Sequence, residues 1–149
     1  HKVNFVVIGR NRDDLEEELP SNIYFIGLLP SRYDFISHIK YADIAVVPFS
    51  QQEVAGGARN KALDYFASQK LVISTPEGLR GLEEFRDRQH LLVTSYSTED
   101  IAQTILDVAL NEANYQPLAQ AAYSLIKEKY SWKARAQSIT NVLLNAINS

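Results

Sequence analysis

The 149-residue chain contains no cysteine, which excludes disulfide frameworks and thiolate metal sites, and no methionine, even at position 1. A natural open reading frame begins with methionine. The expectation is therefore a domain excised from a longer protein, with His1 as a tag remnant. No apolar run approaches the length of a membrane span and no signal-peptide pattern opens the chain, so a cytoplasmic location is the default expectation. Positive charge is also short. With 15 Lys+Arg against 18 Asp+Glu the formal net charge is −3, whereas nucleic-acid binding calls for a basic stripe.

What is present fits one globular domain spanning residues 1–149. The apolar fraction of 46% and charged fraction of 22% are ordinary for such a domain, and its length suffices for a core without staples. No internal repeat, low-complexity segment or linker interrupts it.

One stretch carries chemistry. Gly56-Gly57-Ala58-Arg59-Asn60-Lys61-Ala62-Leu63-Asp64-Tyr65-Phe66-Ala67, followed by Leu71-Val72-Ile73-Ser74 and Thr75-Pro76-Glu77-Gly78, reads as loop, helix, strand and loop. Two glycines ahead of a helical pattern leave the first backbone N–H groups open, and a helix N-terminus carries about half a positive charge. Arg59 and Lys61 oppose that dipole, which makes sense if a phosphate or diphosphate sits in front of them. Helical spacing places Gly57, Lys61, Asp64 and Ser68 on one stripe and Ala58, Ala62, Leu63, Phe66 and Ala67 on the apolar side. Asp64, about one turn deeper than Lys61, suits a carboxylate accepting hydrogen bonds from sugar hydroxyls. The plainer alternative is a surface helix with an ordinary Lys61/Asp64 ion pair.

Elsewhere the pattern alternates. Strands are expected at Val3–Ile8, ending in a turn at Gly9 that is expected to line a ligand crevice; at Ile23–Gly27; at Asp43–Phe49; at Leu71–Ser74; and at His90–Thr94. Helices are expected from Asp13 to Leu19, from the Ser31 cap with Asp34 to Ala42, from Glu83 to Arg88, from the Ser97 cap with Asp100, from Pro117, and from Ser131. The last three read as packing helices. The acidic cluster Asp13, Asp14, Glu16, Glu17 and Glu18 reads as solvated surface rather than a metal site. His38 reads as a surface or structural histidine, and His90, at the start of its strand, as one that only packs. Strands alternating with helices imply an α/β fold: a doubly wound, Rossmann-like parallel sheet with C-terminal packing helices, binding ligands at the carboxyl ends of its strands.

The series Phe25-Ile26-Gly27, Ala42-Asp43-Ile44-Ala45-Val46-Val47-Pro48, Gly57-Ala58-Arg59-Asn60-Lys61-Ala62-Leu63-Asp64-Tyr65-Phe66-Ala67, Leu71-Val72-Ile73-Ser74-Thr75 and Tyr130-Ser131-Trp132 resembles the donor-binding, C-terminal half of GT-B glycosyltransferases, the family-4-like retaining enzymes. That resemblance implies a metal-independent transferase whose substrate is a nucleotide-diphosphate sugar, with no cofactor. It implies a missing N-terminal domain that presents the acceptor, which in some pathways is membrane-associated. By position, Asp64 matches the second glutamate of the family's paired-glutamate motif, which holds the ribose. Gly56 and Gly57 fall where diphosphate and sugar lie, and Leu29 at a position contacting the base. Gly56 replaces the first glutamate, and Asp64 is one methylene shorter than the second. The family's first strand, with its basic loop, has no counterpart here, so the catalytic residues are unknown and the isolated chain should be inactive. The gap is expected to close by pairing Val3–Ile8 with Ile44–Val47, or by borrowing a strand, as in a dimer. Two rivals stay open: an NAD-type dinucleotide-binding domain, disfavoured because Gly9-Arg10-Asn11 lacks further glycines, and a non-catalytic regulatory module, which would want acids at strand ends.

Overall fold

The computed structural model describes residues 3–9, 19–52 and 59–147, so the acidic cluster and the pair Gly56-Gly57 lie outside the described residues. Short β-branched runs form the parallel strands β1 (Phe5–Ile8), β2 (Ile23–Gly27), β3 (Ile44–Val47), β4 (Leu71–Ser74) and β5 (Leu92–Val93). The helices are α1 (Arg32–Tyr41), α2 (Asn60–Ala67), α3 (Thr98–Leu110), α4 (Glu112–Leu125) and α5 (Trp132–Ile147). Among the described residues no helix is long and apolar enough to cross a membrane.

All four residues of β4 are buried because it is covered on both faces. Val72 packs with Ala45, Val47, Ala62, Phe66 and Leu82; Leu71 and Ile73 pack with Ile105, Val108 and Ala119 on the other side. The register sets Ile44 opposite Leu71 and Ala45 opposite Val72, so each face keeps its own alternating set. The caps form as expected. Ser31 accepts from the Asp34 N–H at 3.1 Å and Ser97 from the Asp100 N–H at 3.3 Å.

The sheet is not continuous. β1 pairs with β2, and β3, β4 and β5 form a separate three-stranded sheet. The expected pairing of the first and third strands is absent among the described residues. Side-chain bonds join α1 to α2 and to the residue before β4: Lys70 Nζ donates to the Lys40 carbonyl at 2.8 Å and Arg32 Nη2 to Asp64 Oδ1 at 2.6 Å. Val3 packs against the cluster of Leu71 and Ile73. Among the described residues β1 pairs only with β2, and Val6 on it is 54% exposed.

Three local expectations need correction. Glu83–Arg88 forms turns, not a helix: Gly81 and Arg88 bracket it at φ of 77° and 56°, and Leu82 and Phe85 turn inward to be buried. The helix expected from Pro117 begins at Glu112, because Asn111 closes α3 and opens α4, with the Asn114 N–H on the Asn111 carbonyl at 2.9 Å. Pro117 then sits inside α4 on its exposed side, past the first turn where a proline would leave no helical bond unmade. Third, α5 buries none of its residues, and Trp132 is 92% exposed. Its apolar stripe was legible, but a stripe does not say what covers it.

Between α4 and α5, a π-helical turn at Ile126–Tyr130 brings the Tyr130 hydroxyl to donate to the Glu84 carboxylate. Partial burial, then this bond to Glu84, push the phenol up to about 12. The same bond is the main cause holding the Glu84 carboxyl below its usual range. The folded chain thus keeps the phenolic proton more tightly than the unfolded chain, whose tyrosine titrates near 10.0. The stabilisation is complete below that value and is lost as pH rises toward about 12. Thermal melts of Tyr130→Phe should therefore show a shallower alkaline fall in Tm than the native chain, and equal slopes would refute the assignment.

Candidate functional site

The site is built on α2. Ala62 and Phe66 are fully buried beneath the helix, and Leu63 and Tyr65 pack against the same core, which leaves Lys61 and Asp64 toward the other side. Arg59 occupies the N-cap without making a side-chain cap bond, and the first turn holds no acidic residue. The positive end of the helix therefore has no carboxylate of its own turn. Beside it lies a cleft of about 280 Å³, lined by Val46, Val47, Pro48 and Phe49 from the carboxyl end of β3 and by Lys61 and Tyr65 from α2. Burial, then the neighbouring Asp64, raise the Tyr65 phenol above its ordinary value.

The floor of this cleft is stitched to the loop after β4. Thr75 Oγ1 donates to the Phe49 carbonyl at 2.7 Å, and a 3-10 turn follows at Pro76–Leu79. Gly78 allows that turn to lie on β3: a Cβ there would fall 2.7 Å from the Val47 carbonyl oxygen and 2.3 Å from Ser74 Oγ. The turn delivers Glu77 to Arg59. Arg59 Nη2 donates to Glu77 Oε1 at 2.5 Å and Nε to the Glu77 carbonyl at 3.2 Å. The guanidinium carbon lies 4.2 Å from the Phe49 ring centroid, so the cation is stacked as well as paired. Arg59 is only 6% exposed.

Asp64 is also engaged. Arg32, the first residue of α1, places Nη2 2.6 Å from Oδ1 and Nη1 3.5 Å from Oδ2. Among the described residues no group of three or more His, Asp or Glu could hold a metal ion.

Residues 1–111 match the family described as Glycosyl transferases group 1. The chain belongs to that family. A comparison with curated proteins finds no match. Among solved structures, the C-terminal domain of the group 1 family protein LpcC from Francisella tularensis is similar at 26% identity, over 74% of this chain and 55% of that one, with a TM-score of 0.62. HepE of Anabaena in complex with UDP shares the fold at 15% identity over 96% of this chain and 41% of that one, with a TM-score of 0.77. Its complex with UDP-glucose gives a TM-score of 0.70 at the same identity and coverage. The chain thus spans about half the length of the solved structures it resembles.

In this glycosyltransferase domain the α/β, Rossmann-like reading of the sequence holds, with the sheet divided as described. The structure brings Lys61, Asp64 and Arg59 onto the first turns of α2, with Lys61 in the cleft wall and Arg59 turned inward beneath Phe49. Gly9 lies across the split, at the end of β1, its N–H donating to the Gly27 carbonyl at 2.9 Å. Among the described residues nothing lies within 4 Å of where a Cβ on Gly9 would stand. Leu29 is half-buried in the connection from β2 to α1, just after Gly27, whose φ of 81° turns the chain out of the strand. Gly56 and Gly57 lie outside the described residues. His38 and His90 make local bonds, to the Asp34 carbonyl at 2.8 Å and from the Arg86 N–H at 3.1 Å. Sequence reasoning missed Glu77, Phe49, Tyr65 and Arg32. Only Glu77 had a usable signal: an acid just past a buried strand, facing an unbalanced cation at the start of the preceding helix.

Proposed function

We propose that the chain is the donor half of a two-domain, retaining, metal-independent glycosyltransferase, and that the cleft between β3 and α2 binds the diphosphate of a nucleotide-diphosphate sugar. One observation carries this reading. The N-terminus of α2, where Arg59 makes no side-chain cap bond among the described residues, lies beside a cleft with Lys61 in its wall, at the carboxyl end of a parallel strand in a group 1 glycosyltransferase domain. Lys61 and the first N–H groups of α2 hold negative charge as it gathers on the departing diphosphate, a role that fixed donors fill without reorganisation. Asp64 accepts from the ribose hydroxyls, and Leu29, in the connection ahead of α1, lies against the base. Arg59 is the clamp that fixes the helix start against the loop after β4. The family membership and the UDP and UDP-glucose bound to the HepE neighbour support a nucleotide-sugar donor. The acceptor belongs to the half that these residues do not include.

Calorimetric titration with UDP, GDP, ADP and NAD tests the reading. At least one nucleoside diphosphate should bind, and Lys61→Ala should weaken it by about 1–3 kcal/mol, roughly 5- to 150-fold, for a lost charge-assisted contact. Binding of NAD alone, or indifference of the variant, would reject it.

A further inference from the structure

We infer that Arg32 is a positioning residue for the donor ribose: its guanidinium holds the Asp64 carboxylate in the one orientation that can accept both ribose hydroxyls. The inference rests on the donor-binding reading and adds to it a residue from a different helix.

The geometry is that of a fork on a carboxylate, with contacts of 2.6 Å and 3.5 Å from the two terminal nitrogens. Arg32 is 74% exposed at its side chain and Asp64 21%, so the pair sits at the rim rather than in the core. An exposed pair of this kind contributes little to folding. Its effect is on orientation. A carboxylate has about four acceptor directions, and Arg32 occupies two, which leaves both oxygens able to accept once more. Asp64 lies three residues beyond Lys61 on the same stripe of α2, about one turn from the cation in the cleft wall and just outside the cleft lining itself. Arg32 also closes the connection that carries Leu29, and the fork therefore ties that connection to α2. An aspartate reaching a diol across this rim without a partner would rotate away, and ordering it on binding would take back part of the affinity.

The test is discrimination between sugars, which a merely structural role would not move. The nucleoside diphosphate that binds the native chain is titrated beside its 2′,3′-dideoxy form, against the native chain, Arg32→Ala, Arg32→Lys and Asp64→Asn. The native chain should prefer the ribose form by about tenfold or more, as expected for two hydrogen bonds to a carboxylate. Arg32→Ala and Asp64→Asn should each cut that preference to about threefold or less, and Arg32→Lys, which keeps charge but not the fork, should fall between. Combining Arg32→Ala with Asp64→Asn should bring no further loss, since the two act as a unit. Full ribose preference in Arg32→Ala, with loss in Asp64→Asn, would overturn the inference and leave the donor reading standing. A native chain that binds the diphosphate but ignores the missing hydroxyls would overturn the ribose role itself. Failure of every diphosphate to bind would reject the donor reading, and the inference with it.

Discussion

Arg59→Ala should lower the stability of the chain by about 3–5 kcal/mol, the loss expected when one partner of a buried ion pair is removed and the other is left without compensation. Arg59 and Glu77 have side chains only 5% and 11% exposed. The carboxylate left behind would keep Arg80, whose Nε is 3.3 Å from Glu77 Oε1 on a 56% exposed side chain. That residual partner places the loss toward the lower end. Loss of the stacked contact with Phe49 adds to it. Urea unfolding reads the change as a shift in midpoint at constant slope. The paired replacement Arg59→Met with Glu77→Leu should recover most of the loss, because apolar groups of similar size remove both desolvation penalties together. This result also separates the two cations that the sequence grouped at the start of α2. Lys61→Ala should change nucleotide affinity with little change in stability, whereas Arg59→Ala should change stability first. An Arg59→Ala chain that unfolds at the native midpoint but binds nucleotide weakly would return Arg59 to the ranks of direct phosphate ligands.

How far the molecule could be read from its residues depended on the distance over which each feature is decided. Strand runs such as Leu71–Ser74, and caps such as Ser31 with Asp34 and Ser97 with Asp100, are settled within a few residues, and they stand where the pattern put them. Leu82 and Phe85 are spaced to suit a helix or a turn equally. Burial beneath Phe66, with positive φ at Gly81 and Arg88, decided for turns. The site was legible as a helix start with cations and a carboxylate, yet their partners were not. Glu77 lies 18 positions from Arg59 and Arg32 lies 32 positions from Asp64, separations over which only the tertiary fold decides who meets whom. The division of the sheet has the same origin: no property of Val3–Ile8 or Ile44–Val47 alone shows whether their edges will meet.

Phe66→Ala should be the most damaging apolar substitution near the site, at about 3–5 kcal/mol, because it removes a ring from a close-packed interior and leaves a cavity. Phe66 is fully buried, and its ring stacks on Phe85 with centroids 4.2 Å apart and planes 7° from parallel. Phe85 in turn meets Tyr130 at 5.7 Å and His90 at 5.9 Å, so the void would open beneath a chain of rings that joins α2 to the π-helical turn after α4. Against a total stability of about 5–15 kcal/mol for a domain of this kind, that loss leaves a marginal fold. Differential scanning calorimetry should show Tm falling by roughly 6–20 °C, taking about 2–4 °C per kcal/mol for a chain of this size. The ring lies outside the cleft lining, yet nucleotide affinity should fall with it at temperatures where the variant is still folded. Lys61 and Asp64 are carried by the helix that Phe66 seats, and both must stay within hydrogen-bonding reach of one ligand. Affinity that survives intact in a folded Phe66→Ala chain would mean that α2 is held in register by β3 and β4 without the ring stack, and that the site is less dependent on the core beneath it than its geometry implies.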